Sequence, residues 1–296
     1  MHTGFLRFAD AAYLKVSIIL SLASIVAYWW YDPLEPANGG TWLGFTLGSI
    51  GAGLIVWLTL YGMRKRSYRS RMGTVQGWLS AHVYLGVSLI IIGTLHTGFQ
   101  FGLNIHTLSY VLMLIVIFSG MWGVVLYARF PELITLNRNN LTRHSIFREI
   151  SELDRKASLL VEALGSPIDR MVITSIQLFS VGGGVWSQLA AHDSSKMMIP
   201  IMKGDKRQWT KVGNSQQAYL LDMLAQQVSV CRDPAISAVL QELSDVIRTK
   251  SGLTGRLLKD IRMQGMLELW LYIHVPMTFA LLAALSAHIV SVFYYW

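Results

Sequence analysis

WLSAHVYLGVSLIIIGTLHTGFQF, residues 78–101, runs for 24 residues without an Asp, Glu, Lys or Arg. As a helix it rises about 36 Å, enough to cross the ~30 Å hydrocarbon layer of a bilayer. Only a helix or a closed barrel satisfies its own backbone in lipid. Four further stretches qualify as spans: residues 16–31, 41–63, 107–128 and 267–294. The first lies too far in, and ends in too many aromatics (Tyr28, Trp29, Trp30, Tyr31), for a cleaved signal peptide. It reads as a retained helix. Composition agrees: 53% of the 296 residues are hydrophobic and 14% charged, with a mean hydropathy of +0.43. A soluble domain carries roughly a quarter charged residues, and a disordered chain needs low hydrophobicity with high charge.

The cations fix an expected orientation. Of 25 Lys plus Arg, Arg7 and Lys15 precede the first span, and Arg64, Lys65, Arg66, Arg69 and Arg71 separate the second and third. The other eighteen lie between the fourth and fifth. The loop around Asp32 and Glu35, the loop 102–106 and the terminal Tyr294-Tyr295-Trp296 have none. The positive-inside rule then places the N-terminus and the long insert in the cytoplasm and the C-terminus on the far side, periplasmic if the membrane is a bacterial inner membrane. The net charge of +8 is thereby a topology signal, and no nucleic-acid partner is expected.

The expected organisation is an all-α membrane protein in four parts. Residues 1–40 hold the first span and its outer loop, 41–128 hold spans two to four, 129–266 form a mostly helical cytoplasmic insert, and 267–296 form the fifth span. Within the insert, amphipathic stretches cover residues 146–164, 216–230 and 234–246. A short hairpin fits between Ser180 and Asn214, around Lys203-Gly204-Asp205-Lys206. Gly182-Gly183-Gly184 lacks the Gly-Lys-Ser/Thr of a phosphate loop and reads as a connector. A helix starting near Ser251 is expected to run into the fifth span. The single cysteine, Cys231, excludes an internal disulfide framework, a cysteine-ligated iron–sulfur cluster and covalent CxxCH haem attachment.

Ionisable side chains inside a membrane are costly, so each is a functional candidate. The third span holds His82 and His96, the fifth His274 and His288, and both pairs are 14 residues apart. Fourteen residues are four turns of a slightly supercoiled helix, so both rings of a pair share a face, about 21 Å apart along the axis. Matching that separation by chance in a second span of ~20 residues is on the order of one in fifteen. With one span between them, spans three and five run in the same direction. His82 then meets His274 at one depth and His96 meets His288 at the other, where each pair can clamp a flat metallated macrocycle. Gly86 and Gly93 fall at +4 from His82 and −3 from His96, where a missing side chain lets such a ring approach the backbone. Ordinary small-residue helix packing is the alternative there. Gly48, Gly51, Gly120 and Gly123 offer the same in the neighbouring spans, and Pro276 is expected to bend the fifth just after His274.

The motifs Ala81-His82-Val83, Leu95-His96-Thr97, Ile273-His274-Val275-Pro276 and Ala287-His288-Ile289 resemble the di-haem cytochrome b superfamily, including the cytochrome b561 group. The resemblance covers spans two to five, which it implies form a di-haem four-helix bundle. It implies bis-His ligation of two non-covalent haem b groups, His82 with His274 and His96 with His288. The extra first span and the insert depart from that pattern. Anionic propionates would meet Arg71, Arg129 or Arg262 on one side, and neutral donors such as Trp42, Gln100, Asn104 or His106 on the other. His106 is also placed to line a quinone pocket, while His2, His144 and His192 fall in aqueous segments. The expected function is transmembrane electron transfer between redox partner proteins on one or both faces. A self-contained quinol or quinone oxidoreductase, and a non-redox proton-coupled transporter or sensor, stay open as alternatives.

Overall fold

The computed structural model describes residues 4–31, 38–67, 71–139, 141–165, 167–203 and 206–294. His2, Asp32, Glu35, Arg69, Gly204, Asp205, Tyr295 and Trp296 lie outside the described residues. The described residues are mostly helical, with five helices long and apolar enough to cross a membrane and one two-stranded sheet among them, so the all-α expectation holds except for that hairpin. The helices are α1 (Ala12–Trp30), α2 (Trp42–Arg66), α3 (Val75–Thr97), α4 (Ile105–Arg138), α5 (Arg143–Glu162), α6 (Ile168–Gln177), α7 (Val185–Leu189), α8 (Ala218–Val230) and α9 (Pro234–Tyr294). Strands β1 (Lys196–Lys203) and β2 (Lys206–Gly213) pair antiparallel between α7 and α8, with Met197 opposite Val212 and Pro200 opposite Trp209.

Local chemistry sets the boundaries. The Thr41 and Thr74 hydroxyls accept from the Gly44 and Gly77 amides and start α2 and α3. Arg64, Lys65 and Arg66 sit in the last turn of α2, where cations suit the helix dipole. α3 stops at Thr97, four residues before the expected end, because Gly98 and Phe99 turn left-handed at φ +56° and +61°. α9 starts at Pro234 and continues through Pro276 to Tyr294 as one helix. The amphipathic stretch 234–246 and the helix expected from near Ser251 are thus parts of one helix, and Pro234 stands at the first helical position, where proline loses nothing.

The chain divides into two compact units, Met1–Val125 with Trp270–Trp296, and Leu126–Leu269. In the first, Ile55 and Leu58 of α2, Leu85 and Leu89 of α3, Met113 of α4, and Leu281 and Leu285 of α9 share one core. α1 packs on α3 inside out. Its buried residues are Ser17, Ser21 and Ser24, one helical stripe, while Ile19, Leu22, Trp29 and Trp30 are exposed. Small residues at a helix contact and large apolar ones facing outward are the pattern of a helix solvated by lipid.

The second unit has a water-soluble protein's core, built on Val161, Val172, Met197, Leu220, Leu243 and Ile247. A second cluster joins Ile146 and Ile150 of α5 to Leu253 and Leu257 of α9. The Asp260 carboxylate is fully buried and accepts from Arg138 and Arg143. Lys250, also fully buried, donates to Asp154 at 2.5 Å and lies over the Phe179 ring. Burial pushes the Asp154 carboxyl above the ordinary 3.8, against the hydrogen bond and charge of Lys250, which pull it down. A raised folded-state value means the fold holds this proton more tightly than the unfolded chain. The stability it contributes is full below the unfolded value and lost as pH rises through the folded one. Acidification from neutrality towards pH 4 is therefore expected to stabilise the parent relative to Asp154→Asn, read as the difference between their unfolding midpoints at each pH.

Candidate functional site

In the membrane-spanning unit the two histidines of α3 face the two of α9. The His82 and His274 ring centroids are 6.5 Å apart, those of His96 and His288 5.9 Å, with ring planes at 68° and 84°. All four rings are half-buried.

Each ring is braced at Nδ1 from a neighbouring helix. His82 Nδ1–H donates to the Leu58 carbonyl at 3.0 Å and His96 Nδ1–H to the Gly44 carbonyl at 2.7 Å, both on α2. His274 Nδ1 lies 2.8 Å from the Ser119 hydroxyl of α4. Ser119 gives its one proton to the Val116 carbonyl, so its oxygen accepts from His274 Nδ1–H. His288 Nδ1 lies 2.5 Å from His106 Nδ1, also on α4. Among the described residues no hydrogen bond reaches Nε2 of any of the four. A neutral imidazole protonated at Nδ1 carries its lone pair on Nε2, the atom left to bind a ligand.

The glycines let these rings sit where they do. A Cβ on Gly48 would stand 2.6 Å from His96 Cε1, and one on Gly120 would stand 3.3 Å from His274 Cε1. Gly123 admits the Trp270 indole, which stacks on His274 at 5.2 Å and donates to the Ser119 carbonyl. Gly51 faces Ile92 and Leu89. Gly93 lines the cavity described below, and a Cβ there would meet Met113 Cε at 2.6 Å; around Gly86 the space is open.

A cavity of about 660 Å³ lies among the four core-sharing helices. Leu89 and Gly93 of α3, Met113 of α4, and Leu281 and Leu285 of α9 line it, and His96, His106 and His288 stand at one end. Its size falls within the roughly 300–1,000 Å³ of ligand pockets. Asn104 and Gln100 are on its rim; Trp42 is exposed and is not among its lining residues. Arg71, Arg129 and Arg262 are exposed, as are His144 and His192. Among the described residues no three His, Cys, Asp or Glu side chains converge to hold a bare metal ion.

Comparison of the chain with family models, with curated proteins and with solved structures finds no match. Its chemistry is therefore read from the paired rings. The bracing groups were not legible beforehand: two are main-chain oxygens without a residue signature, and Ser119 and Trp270 were unmarked among apolar neighbours. The one available signal was Gly120 and Gly123, which flank the spots where His274 and Trp270 press on α4.

Proposed function

We propose that the chain is a membrane-integral b-type di-haem cytochrome of the superfamily it resembles, carrying single electrons across the membrane between redox partners within a larger redox complex. One haem b is held between His82 and His274, the other between His96 and His288. The reading is carried by the two facing pairs of Nδ1-braced rings with Nε2 left open. With metal–nitrogen bonds of about 2.0 Å and a ring nitrogen roughly 1.1 Å from its ring centre, two imidazoles closing on one metal would have centroids about 6.2 Å apart. The separations of 6.5 and 5.9 Å fall on either side of that figure. When bound, the haems supply reversible one-electron chemistry between ferric and ferrous iron.

The chain's own residues do the rest. Leu58, Gly44 and Ser119 take the Nδ1 protons, which fixes each ring's tautomer and makes Nε2 more basic. Leu89, Met113, Leu281 and Leu285 exclude water from the cavity and keep its dielectric low. The cation distribution supports a cytoplasmic N-terminus and insert with the C-terminus on the far side, which is the periplasm if the membrane is a bacterial inner membrane. The insert then serves as the docking platform for a redox partner.

The polar rim at Gln100 and Asn104, beside His106, favours one second reading, a self-contained quinol or quinone oxidoreductase. A reduced-minus-oxidised spectrum with pyridine haemochrome quantitation is expected to give two b haems per purified chain. A colourless preparation overturns both readings. A quinone analogue that leaves the spectrum and the rate of haem reduction unchanged rejects the second alone.

A further inference from the structure

Trp186 is 81% exposed. It sits in the five-residue α7 beside Val185, which is exposed as well. The preceding turn is pinned: Gly182 and Gly183 hold φ at +91° and +109°. Ser187 Oγ donates to the Gly182 carbonyl at 2.7 Å, and Gln188 Nε2 to the Gly183 carbonyl at 2.9 Å. An ordered turn thus presents a large apolar ring outward in a fixed pose. The unit's other tryptophan, Trp209, packs against the core with the Arg170 guanidinium over its ring.

The position of α7 says what covers Trp186. Gly182 lies beside Ile261 of α9, and Gln188 and Leu189 lie against Gly265. Ile261 and Gly265 are one turn apart on one face of that helix. The apolar run that enters the bilayer begins at Leu267, about 3 Å of helix rise beyond Gly265. α7 is therefore at the level of the headgroups, where tryptophan's amphipathic ring is enriched. Lys259 and Arg262, exposed on the same stretch of α9, match the anionic phosphates of that layer.

We infer that α7, led by Trp186 with Val185, docks in the headgroup–acyl boundary of the bilayer and gives the insert a second, non-spanning contact with lipid. This does not depend on the haem reading. The test uses the full chain with Cys231→Ser, carrying Trp186→Cys labelled with a polarity-sensitive fluorophore. The protein is reconstituted in phosphatidylcholine–phosphatidylglycerol vesicles in which some lipids bear a nitroxide at a shallow acyl position. Leu159→Cys, on an exposed position of α5, is the reference, and Val185→Cys serves as a second position should the first fail to fold. Blue-shifted emission with several-fold more nitroxide quenching than the reference is expected. Emission and quenching equal to the reference overturn the inference. A blue shift without quenching overturns it too, because the cover is then protein.

Discussion

His274→Leu is expected to purify with half the haem of the parent chain. Leucine keeps the apolar volume and introduces no charge, and the Ser119 hydroxyl it leaves behind still donates to Val116, so no proton is orphaned. What is lost is one of two opposed nitrogens. His82→Leu should remove the same haem, and His96→Leu and His288→Leu the other, so the four variants fall into two spectral classes. His106→Gln should retain both haems, since an amide oxygen can accept from His288 Nδ1–H. Loss of a haem from His106→Gln with retention of both in His288→Leu would assign the ligand to α4 and break the proposed pairing. Loss of both haems from every single change would mark a folding effect.

Asp260→Ala is expected to cost the insert about 3–5 kcal/mol, the range for removing one partner of a buried ion pair. The carboxylate accepts from Arg138 Nε at 2.7 Å, Arg138 Nη2 at 3.0 Å and Arg143 Nε at 2.9 Å, which ties α4, α5 and α9 together. Without it two guanidiniums face each other with no counter-charge. Asp260→Asn keeps one acceptor and should fall between. The surface pair of Glu152 with Arg155 supplies the contrast, because both side chains are mostly exposed and such pairs contribute about 0–1 kcal/mol. Urea unfolding of the purified chain, followed by limited proteolysis within the insert, reads the difference. A loss for Asp260→Ala no larger than for Glu152→Ala would show that the cluster does not hold the unit together.

Periodicity made much of this legible. The 14-residue spacing in spans three and five is a property of the helix itself, so the sequence alone could place His82 opposite His274 and His96 opposite His288, and the structure brings those rings together. Element boundaries were less legible where one residue's backbone decides. α8 begins at Ala218, two residues into the amphipathic stretch, because Gln216 and Gln217 take φ of +50° and +59°. α9 hides its length because its surroundings change from water-facing to apolar while its backbone does not. The Lys250–Asp154 and Asp260–Arg138 contacts join residues about a hundred positions apart, and no local pattern announces such pairs. The sequence places His106 beside a pocket, but its contact with His288 depends on the packing of α4 on α9.

The two rails of histidines are not equally open to change. On α3 the proton acceptors are the peptide oxygens of Leu58 and Gly44, which every substitution at those positions preserves. On α9 they are the side chains of Ser119 and His106, which a single codon can replace. If the paired rings hold haem iron as proposed, descendants of this chain could retune its electron affinity through α4, while the α3 rail stays a fixed inheritance.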